Sequence, residues 1–247
     1  MNRLLALVVL SCSSCAFLSA PVPMPSVKSQ LEPARAKCLF VFLPGAGDQA
    51  SDFVKYGFFE AVRSRGLSAD LVAANATIGY YNTGVAAARV HEDVVVPVKA
   101  GRSYEQTWVV GMSMGGMGTL LYSHEHEAEV TGLFALAPFL GSGVAQEVER
   151  AGGLRAWKAP EKVEKMTSGN YQQEIWRWLQ EVTARGTPQL YLGWGTEDRL
   201  GESASVLAAA LPKERVFNVP GPHKWEPWRK LWERFLDETP IKQACAP

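Results

Sequence analysis

The chain has 247 residues, of which 47% are hydrophobic and 20% are charged, an ordinary globular composition with length for one large domain or two small ones. Lys and Arg together number 25, as do Asp and Glu, so the formal net charge is zero. This balance excludes the strong single-sign field that attracts nucleic acid or an anionic membrane surface. The expected partner is a neutral or small molecule.

Residues 1–20 have the layout of a secretory signal peptide. Arg3 provides the basic start, a short apolar run follows, and small residues end at Ala20. Ser and Cys interrupt the apolar run before it reaches the roughly 20 residues that a membrane span needs. We therefore expect export to a periplasm or the exterior, without a membrane span. The alternative is a lipoprotein anchored to a membrane through Cys12 or Cys15, each of which follows a serine.

Residues 21–36 contain four prolines and no hydrophobic periodicity, which predicts a Pro-rich linker or extended arm. The folded domain is expected to cover 37–247, with no internal repeat or second linker.

Short apolar runs alternate with segments of helical period along this domain, which predicts an α/β protein with a mostly parallel sheet. The predicted strands are 38–43, 70–73, 107–111, 131–137, 189–193 and 215–219. The predicted helices are 51–65, 84–99, 115–124, 143–151, 171–185, 203–211 and 226–237. The interval 141–186 is long for a connection between strands and is expected to form an inserted cap over one end of the sheet.

The segment Gly-Met-Ser-Met-Gly around Ser113 carries the strongest chemical signal. It follows a predicted buried strand and precedes a predicted helix. In that context G-x-S-x-G forms a strained turn that lifts the serine hydroxyl above the sheet, at a helix N-terminus that favours negative charge. We therefore predict that Ser113 is a nucleophile rather than part of a plain glycine turn.

A serine hydroxyl needs a base, and the chain has four histidines. His91, His124 and His126 fall in or beside helical segments and are expected on solvated faces; His124 and His126 are two residues apart and do not share a helix face as a zinc pair would. His223 follows the last predicted strand, on a Pro/Gly loop at the same sheet edge as Ser113. It is the predicted base.

From about residue 37 to 237 the chain resembles the α/β-hydrolase superfamily, particularly small bacterial carboxylesterases. The resemblance is carried by G-x-S-x-G within 110–122, by 133–141 and by 222–228, which contains His223. It implies an α/β-hydrolase fold: a mostly parallel sheet flanked by helices, with a small inserted cap between later strands.

The resemblance also implies a triad that hydrolyses esters without a cofactor or a metal. Ser113 would be the nucleophile, His223 the base, and the acid would lie on the loop after the strand 189–193. Asp198 fits that position best, although Glu197 beside it is a competitor and an acid near a helix start is often only a cap. An oxyanion hole is expected from the backbone N–H groups of Ala46 and Met114.

Five aromatic residues fall near predicted strand ends, where open α/β sheets bind ligands. These pocket candidates, each of which could equally be core, are Tyr80, Tyr81, Phe139, Trp194 and Trp225.

Two classes of function remain open. The first is a serine carboxylesterase, with thioesterase and lipase as variants on the same triad. The second is an exported binding protein that keeps the fold without turnover.

The cysteines give a final prediction. Cys38 and Cys245 remain if the leader is removed, and an even number in an exported chain favours a disulfide, with two free thiols as the alternative.

Overall fold

The computed structural model describes residues 19–32 and 35–247. Seven strands form one sheet within these residues. They are β1 Ser26–Ser29, β2 Cys38–Leu43, β3 Ala69–Ala74, β4 Gln106–Met112, β5 Gly132–Leu136, β6 Gln189–Gly195 and β7 Val216–Val219. Every strand predicted from the sequence is present, with its ends shifted by two residues at most.

The strand order across the sheet is β1-β3-β2-β4-β5-β6-β7. Strands β2 to β7 run parallel to their neighbours, and only β1 is antiparallel. Strands of a parallel sheet are covered on both faces and therefore read as continuous apolar runs, as Cys38–Leu43 does. Because the strands are parallel, the loops after β2, β4, β5, β6 and β7 all open at one edge.

Strand β1 lies inside the segment 21–36, for which the sequence predicts a linker. It pairs with β3, from Ser26 opposite Ala74 to Ser29 opposite Leu71, so this part of the segment belongs to the sheet. Its sequence, Ser-Val-Lys-Ser, is short and polar, as suits an edge strand that faces solvent. Hydrophobic pattern alone does not detect such a strand.

Helices cover both faces of the sheet. They are α1 Asp52–Lys55, α2 Phe58–Arg63, α3 Ile78–Asn82, α4 Ala86–Val90, α5 Val96–Lys99, α6 Met114–Glu125, α7 Ser142–Arg150, α8 Tyr171–Arg185, α9 Gly201–Ala208, α10 Trp225–Glu238 and α11 Ile241–Ala244. The predicted helix 51–65 is divided at Gly57, whose φ is 77°. The predicted helix 84–99 contains a π-helical turn, His91–Val95, between α4 and α5. None of the helices among the described residues is long and apolar enough to cross a membrane.

Alternate side chains of each central strand pack on opposite faces. On β2, Phe40 and Phe42 lie edge-on to Trp232 of α10, with ring centroids 5.5 Å apart in both pairs. Leu39 and Val41 point the other way, into a cluster with residues of α4 and the π-helical turn. Full burial of both rows fixes the sheet between its two helical layers.

The cap, residues 141–186, contains α7 and α8 and packs its apolar side against β5, β6 and α9. Glu174 of α8 is buried and holds the cap to the domain. It accepts hydrogen bonds from Arg177 and from the Val163 N–H, and contacts His124 of α6 at 3.0 Å. Burial raises the pKa of Glu174, but these donors outweigh burial and lower its pKa to about 2.

A disulfide joins Cys38 at the start of β2 to Cys245 just after α11, with Cα atoms 5.7 Å apart. This confirms the predicted pairing. The Ser68 N–H also donates to the Cys245 carbonyl, at 2.7 Å, so the C-terminal segment is fixed at the sheet edge opposite the loops that follow the parallel strands.

Candidate active site

Ser113 lies in the turn between β4 and α6 in an unusual backbone conformation, with φ 57° and ψ −119°. The turn is tight enough to require both flanking glycines. A Cβ on Gly111 would lie 2.2 Å from the Gly115 carbonyl oxygen, and a Cβ on Gly115 would lie 2.1 Å from the Leu43 oxygen. The Ser113 N–H donates to the Leu136 oxygen at 2.9 Å, which fixes the turn to β5. The sequence thus places the serine hydroxyl at the N-terminus of α6.

His223 lies on the loop between β7 and α10, and its ring is held on two sides. Its Nδ1 is 2.8 Å from both carboxylate oxygens of Asp198, whose side chain is fully buried. Trp228 packs against the ring edge to face, with centroids 4.8 Å apart. The other ring nitrogen, Nε2, is buried and has no hydrogen-bond partner among the described residues. A neutral ring with its proton on Nδ1 would therefore keep a free lone pair on Nε2.

Asp198 is itself held by the loop after β6. Its Oδ1 accepts the Leu200 N–H at 2.9 Å, and its own N–H donates to the Gly195 oxygen. Glu197, the competitor in the sequence, is exposed, and its backbone N–H bonds to Gly221. The structure therefore brings Asp198, rather than Glu197, to His223.

Ser113 and His223 open into one cavity of about 480 Å³. The loop after β2 supplies one wall with Gly45, Ala46 and Asp48, and Arg199 supplies another. The remaining lining residues are Tyr56, Lys224, Trp225, Glu226 and Trp228. The cavity thus combines aromatic surface with charges of both signs.

Asp48 is a cavity residue that the sequence analysis missed. Its Oδ1 accepts a hydrogen bond from Trp225 Nε1 at 3.0 Å, which ties the loop after β2 to the start of α10. Burial raises the pKa of Asp48, and the Trp225 bond partly opposes that rise. The available signal was its position in Gly-Ala-Gly-Asp directly after a strand, since polar residues at that edge often face a ligand.

Comparison with solved structures shows several proteins with the same architecture. MPT51 (FbpC1) of Mycobacterium tuberculosis matches with a TM-score of 0.61 at 13% identity, covering 92% of this chain and 97% of its own. Est1E of Butyrivibrio proteoclasticus matches at 0.59 and 15%, covering 87% and 93%. The S-formylglutathione hydrolase FrmB of Staphylococcus aureus matches at 0.56 and 17%, covering 84% and 82%. No protein-family model and no curated protein matches the chain.

The sheet order, the turn at Ser113 and these likenesses agree. The chain has an α/β-hydrolase fold. The fold class predicted from the sequence is confirmed.

Within this fold the five aromatic pocket candidates divide into two that line cavities and three that do not. Trp225 lines the cavity and stacks on Tyr56 with centroids 4.5 Å apart. Phe139 is 41% exposed and lines a neighbouring pocket of about 260 Å³, which shares Arg199 with the first.

The other three aromatic candidates pack within the α/β-hydrolase domain and do not line the cavity. Tyr80 is fully buried, and its hydroxyl donates to the Pro21 carbonyl. Tyr81 packs its hydroxyl against Gly118 of α6, and Trp194 packs on the cluster beneath the cap. Proximity to a strand end did not separate rings that face the cavity from rings that face the core, because the direction of each ring depends on the three-dimensional packing around it.

Proposed function

We propose that the protein is a serine hydrolase that cleaves carboxylic esters through an acyl-enzyme on Ser113. One observation carries the proposal: Ser113 shares a cavity with His223, whose Nδ1 is held by the buried Asp198 while its Nε2 has no hydrogen-bond partner within residues 19–32 and 35–247. A serine at a strained turn, an oriented histidine and a buried acid are the parts that nucleophilic acyl transfer requires.

Acylation begins when His223 Nε2 takes the proton from Ser113 Oγ as that oxygen attacks the ester carbonyl. The carbonyl oxygen becomes an oxyanion and accepts hydrogen bonds from the backbone N–H groups of Ala46 and Met114. His223 then gives its proton to the departing alcohol, and the C–O bond breaks. Asp198 stabilises the imidazolium formed in between and holds its tautomer.

Deacylation repeats these steps with water as the nucleophile. His223 takes a proton from the water, the water oxygen attacks the acyl carbon, and Ser113 leaves with the proton returned by His223. Every group in this scheme belongs to the chain or is water, so the mechanism calls for no cofactor and no metal.

The substrate class is a small-molecule ester. A cavity of about 480 Å³ accommodates a compact substrate, and the stacked pair Tyr56 and Trp225 offers an aromatic wall. Two similar structures support this class by their names, a ferulic acid esterase at 13% identity and an S-formylglutathione hydrolase at 17%. A thioester or a lipid ester would use the same groups.

The proposed location is outside the cytoplasm. The disulfide between Cys38 and Cys245 supports export, because such bonds persist in oxidising compartments. The predicted signal peptide covers residues 1–20, and Cys12 and Cys15, the candidate lipid anchors, lie outside the described residues.

The alternative is an exported protein of the same fold that binds a ligand without turnover. A binding protein has no need of an unpartnered Nε2 on His223 or of a strained backbone at Ser113. The described residues show both features, and they favour the enzyme.

Replacement of the nucleophile tests the proposal. We expect Ser113→Ala to lower hydrolysis of p-nitrophenyl acetate and butyrate by roughly four orders of magnitude, because the acyl-enzyme cannot form. Ser123→Ala is the matched control, since Ser123 is a buried serine of the same helix, α6, that does not line the cavity. Equal loss in both variants, or hydrolysis by Ser113→Ala at the wild-type rate, would contradict the proposal.

A further inference from the structure

A second cluster of chemically active side chains lies at the sheet edge opposite Ser113. His91 begins the π-helical turn, while His126 and Glu129 lie between the end of α6 and the start of β5. One ligand atom from each residue, a ring nitrogen or a carboxylate oxygen, lies within 4.8 Å of the others. The two imidazole rings are stacked, with centroids 4.0 Å apart and planes 8° apart. Both histidines were expected on solvated helix faces.

The π-helical turn explains how His91 reaches the cluster. An inserted π turn shifts the helical register by one residue, and such turns are frequent at functional sites. Pro97, which has no N–H to donate, follows the turn two residues later. The result is that His91 faces α6, where its Nδ1 is 3.4 Å from the Tyr122 hydroxyl oxygen.

The polar groups of the cluster are not all satisfied. His126 Nε2 is buried and has no hydrogen-bond partner among the described residues, although a buried nitrogen without a partner costs stability. Glu129 is held by one oxygen only: Oε2 accepts from Lys99 Nζ at 2.8 Å, and Oε1 faces His91 Nδ1 at 3.9 Å. Lys99 therefore orients the carboxylate and leaves its second oxygen directed at the histidines, as supporting residues do around a metal ligand.

We propose that His91, His126 and Glu129 bind a divalent first-row transition-metal ion, with Zn²⁺ as the best match. Two imidazoles and one carboxylate form a common zinc ligand set, with a water in the fourth position. Metal–ligand distances of about 2.0 to 2.2 Å place neighbouring ligand atoms roughly 3.3 Å apart in a tetrahedron, so ligand atoms that lie up to 4.8 Å apart need to close by up to about 1.5 Å. Closing also requires the two stacked rings to rotate, because the nitrogen lone pairs lie in the ring planes. His91 and His126 are partly exposed and Glu129 is exposed.

The role of this ion is structural. It joins the π-helical turn to the segment after α6, at the edge of the sheet away from the cavity that holds Ser113. Binding to the folded chain raises its stability by an amount that grows with the logarithm of the free-ion concentration once that concentration exceeds the Kd. The site is independent of ester hydrolysis and does not require the function proposed above.

Zinc titration of the full chain, first dialysed against EDTA, tests the site. We expect calorimetry with ZnCl₂ alone to show one ion per chain with a Kd in the micromolar range or below, and thermal unfolding to shift upward by several degrees. His91→Gln and His126→Gln should each weaken binding at least tenfold and remove the thermal shift. His124→Gln is the matched control, because His124 lies two residues before His126 and pairs with Glu174 instead.

Far-ultraviolet circular dichroism verifies that each variant is folded. Zinc binding unchanged in both His91→Gln and His126→Gln would overturn the proposal and assign the ion to another part of the chain, such as Cys12 and Cys15. An absence of binding to the wild-type protein at 100-fold excess of Zn²⁺ would overturn it as well.

Discussion

Ser113 has a positive φ, a conformation that costs a non-glycine residue on the order of 1 to 3 kcal/mol. The residues around Ser113 maintain this conformation. The backbone of β4 and α6 and the end of β2 at Leu43 pack closely around Gly111 and Gly115. The strained position places Ser113 on the wall of the cavity at a helix N-terminus, where developing negative charge is stabilised. A strained backbone of this kind is typical of a functional residue rather than of one that only packs in the core.

Substitutions at Asp198 and Glu197 distinguish the loss of a catalytic carboxylate from the loss of a negative charge alone. We expect Asp198→Asn to lower ester hydrolysis by roughly three to four orders of magnitude, since an amide can favour the wrong tautomer of His223. Glu197→Gln removes the same charge one residue away and should retain near-wild-type kcat/KM, because Glu197 is exposed. The measurement is steady-state kinetics on p-nitrophenyl esters. The reverse pattern would transfer the acid role to Glu197.

The candidate site residues that the sequence indicated are those whose position depends on local motifs. Ser113 is fixed by two glycines within two residues of it, and His223 by the loop after the last strand. Asp48 was missed because its role depends on Trp225, which lies 177 residues further along the chain. His91 and His126 were expected on solvated helix faces, because only the three-dimensional packing of the π-helical turn against the end of α6 brings their rings into contact.

At the scale of elements, prediction succeeded where apolar pattern and burial coincide. The central strands are apolar throughout and were found with small end shifts, and the helix Tyr171–Arg185 has the predicted bounds. The edge strand Ser26–Ser29 was missed because only one side of it pairs with the sheet. The π-helical turn was missed because its hydrophobic period hardly differs from that of an α-helix over five residues.

The segment 141–186 contains the buried carboxylate of Glu174, which predicts a pH-dependent contribution to stability. The pKa of Glu174 is lowered from 4.5 to about 2, so its contribution is complete above pH 4.5 and is lost as the pH falls toward 2. Glu174→Gln should lower the free energy of unfolding at pH 7 by roughly 3 kcal/mol. The substitution removes the buried negative charge that pairs with the Arg177 guanidinium.

Urea unfolding of both proteins between pH 7 and pH 2 measures this difference. The two stability curves should converge as the pH falls through that window. Glu181→Gln is the control, because Glu181 also pairs with Arg177 but is exposed, and it should cost much less. A gap between wild type and Glu174→Gln that stays constant with pH would contradict the account.

For the whole molecule, the disulfide closes a loop of 207 residues. Its removal should lower the free energy of unfolding by at most about 5 kcal/mol, since the bond restricts the unfolded chain. Cys38→Ala, Cys245→Ala and the double variant should lose similar amounts in urea unfolding, because each breaks the same bond. Additive losses would show that the cysteines stabilise the protein by packing rather than by the bond.

The central claim, that Ser113 is an activated nucleophile in a complete site, is tested most directly by labelling with a fluorophosphonate probe. We expect the folded wild-type protein to be labelled stoichiometrically on Ser113, as located by peptide mapping, and heat-unfolded protein to remain unlabelled. His223→Ala should be labelled far more slowly, because the base that activates the hydroxyl is absent. Labelling that fails in the folded wild type, or that occurs equally in Ser113→Ala, would contradict the account and favour a binding protein of the same fold.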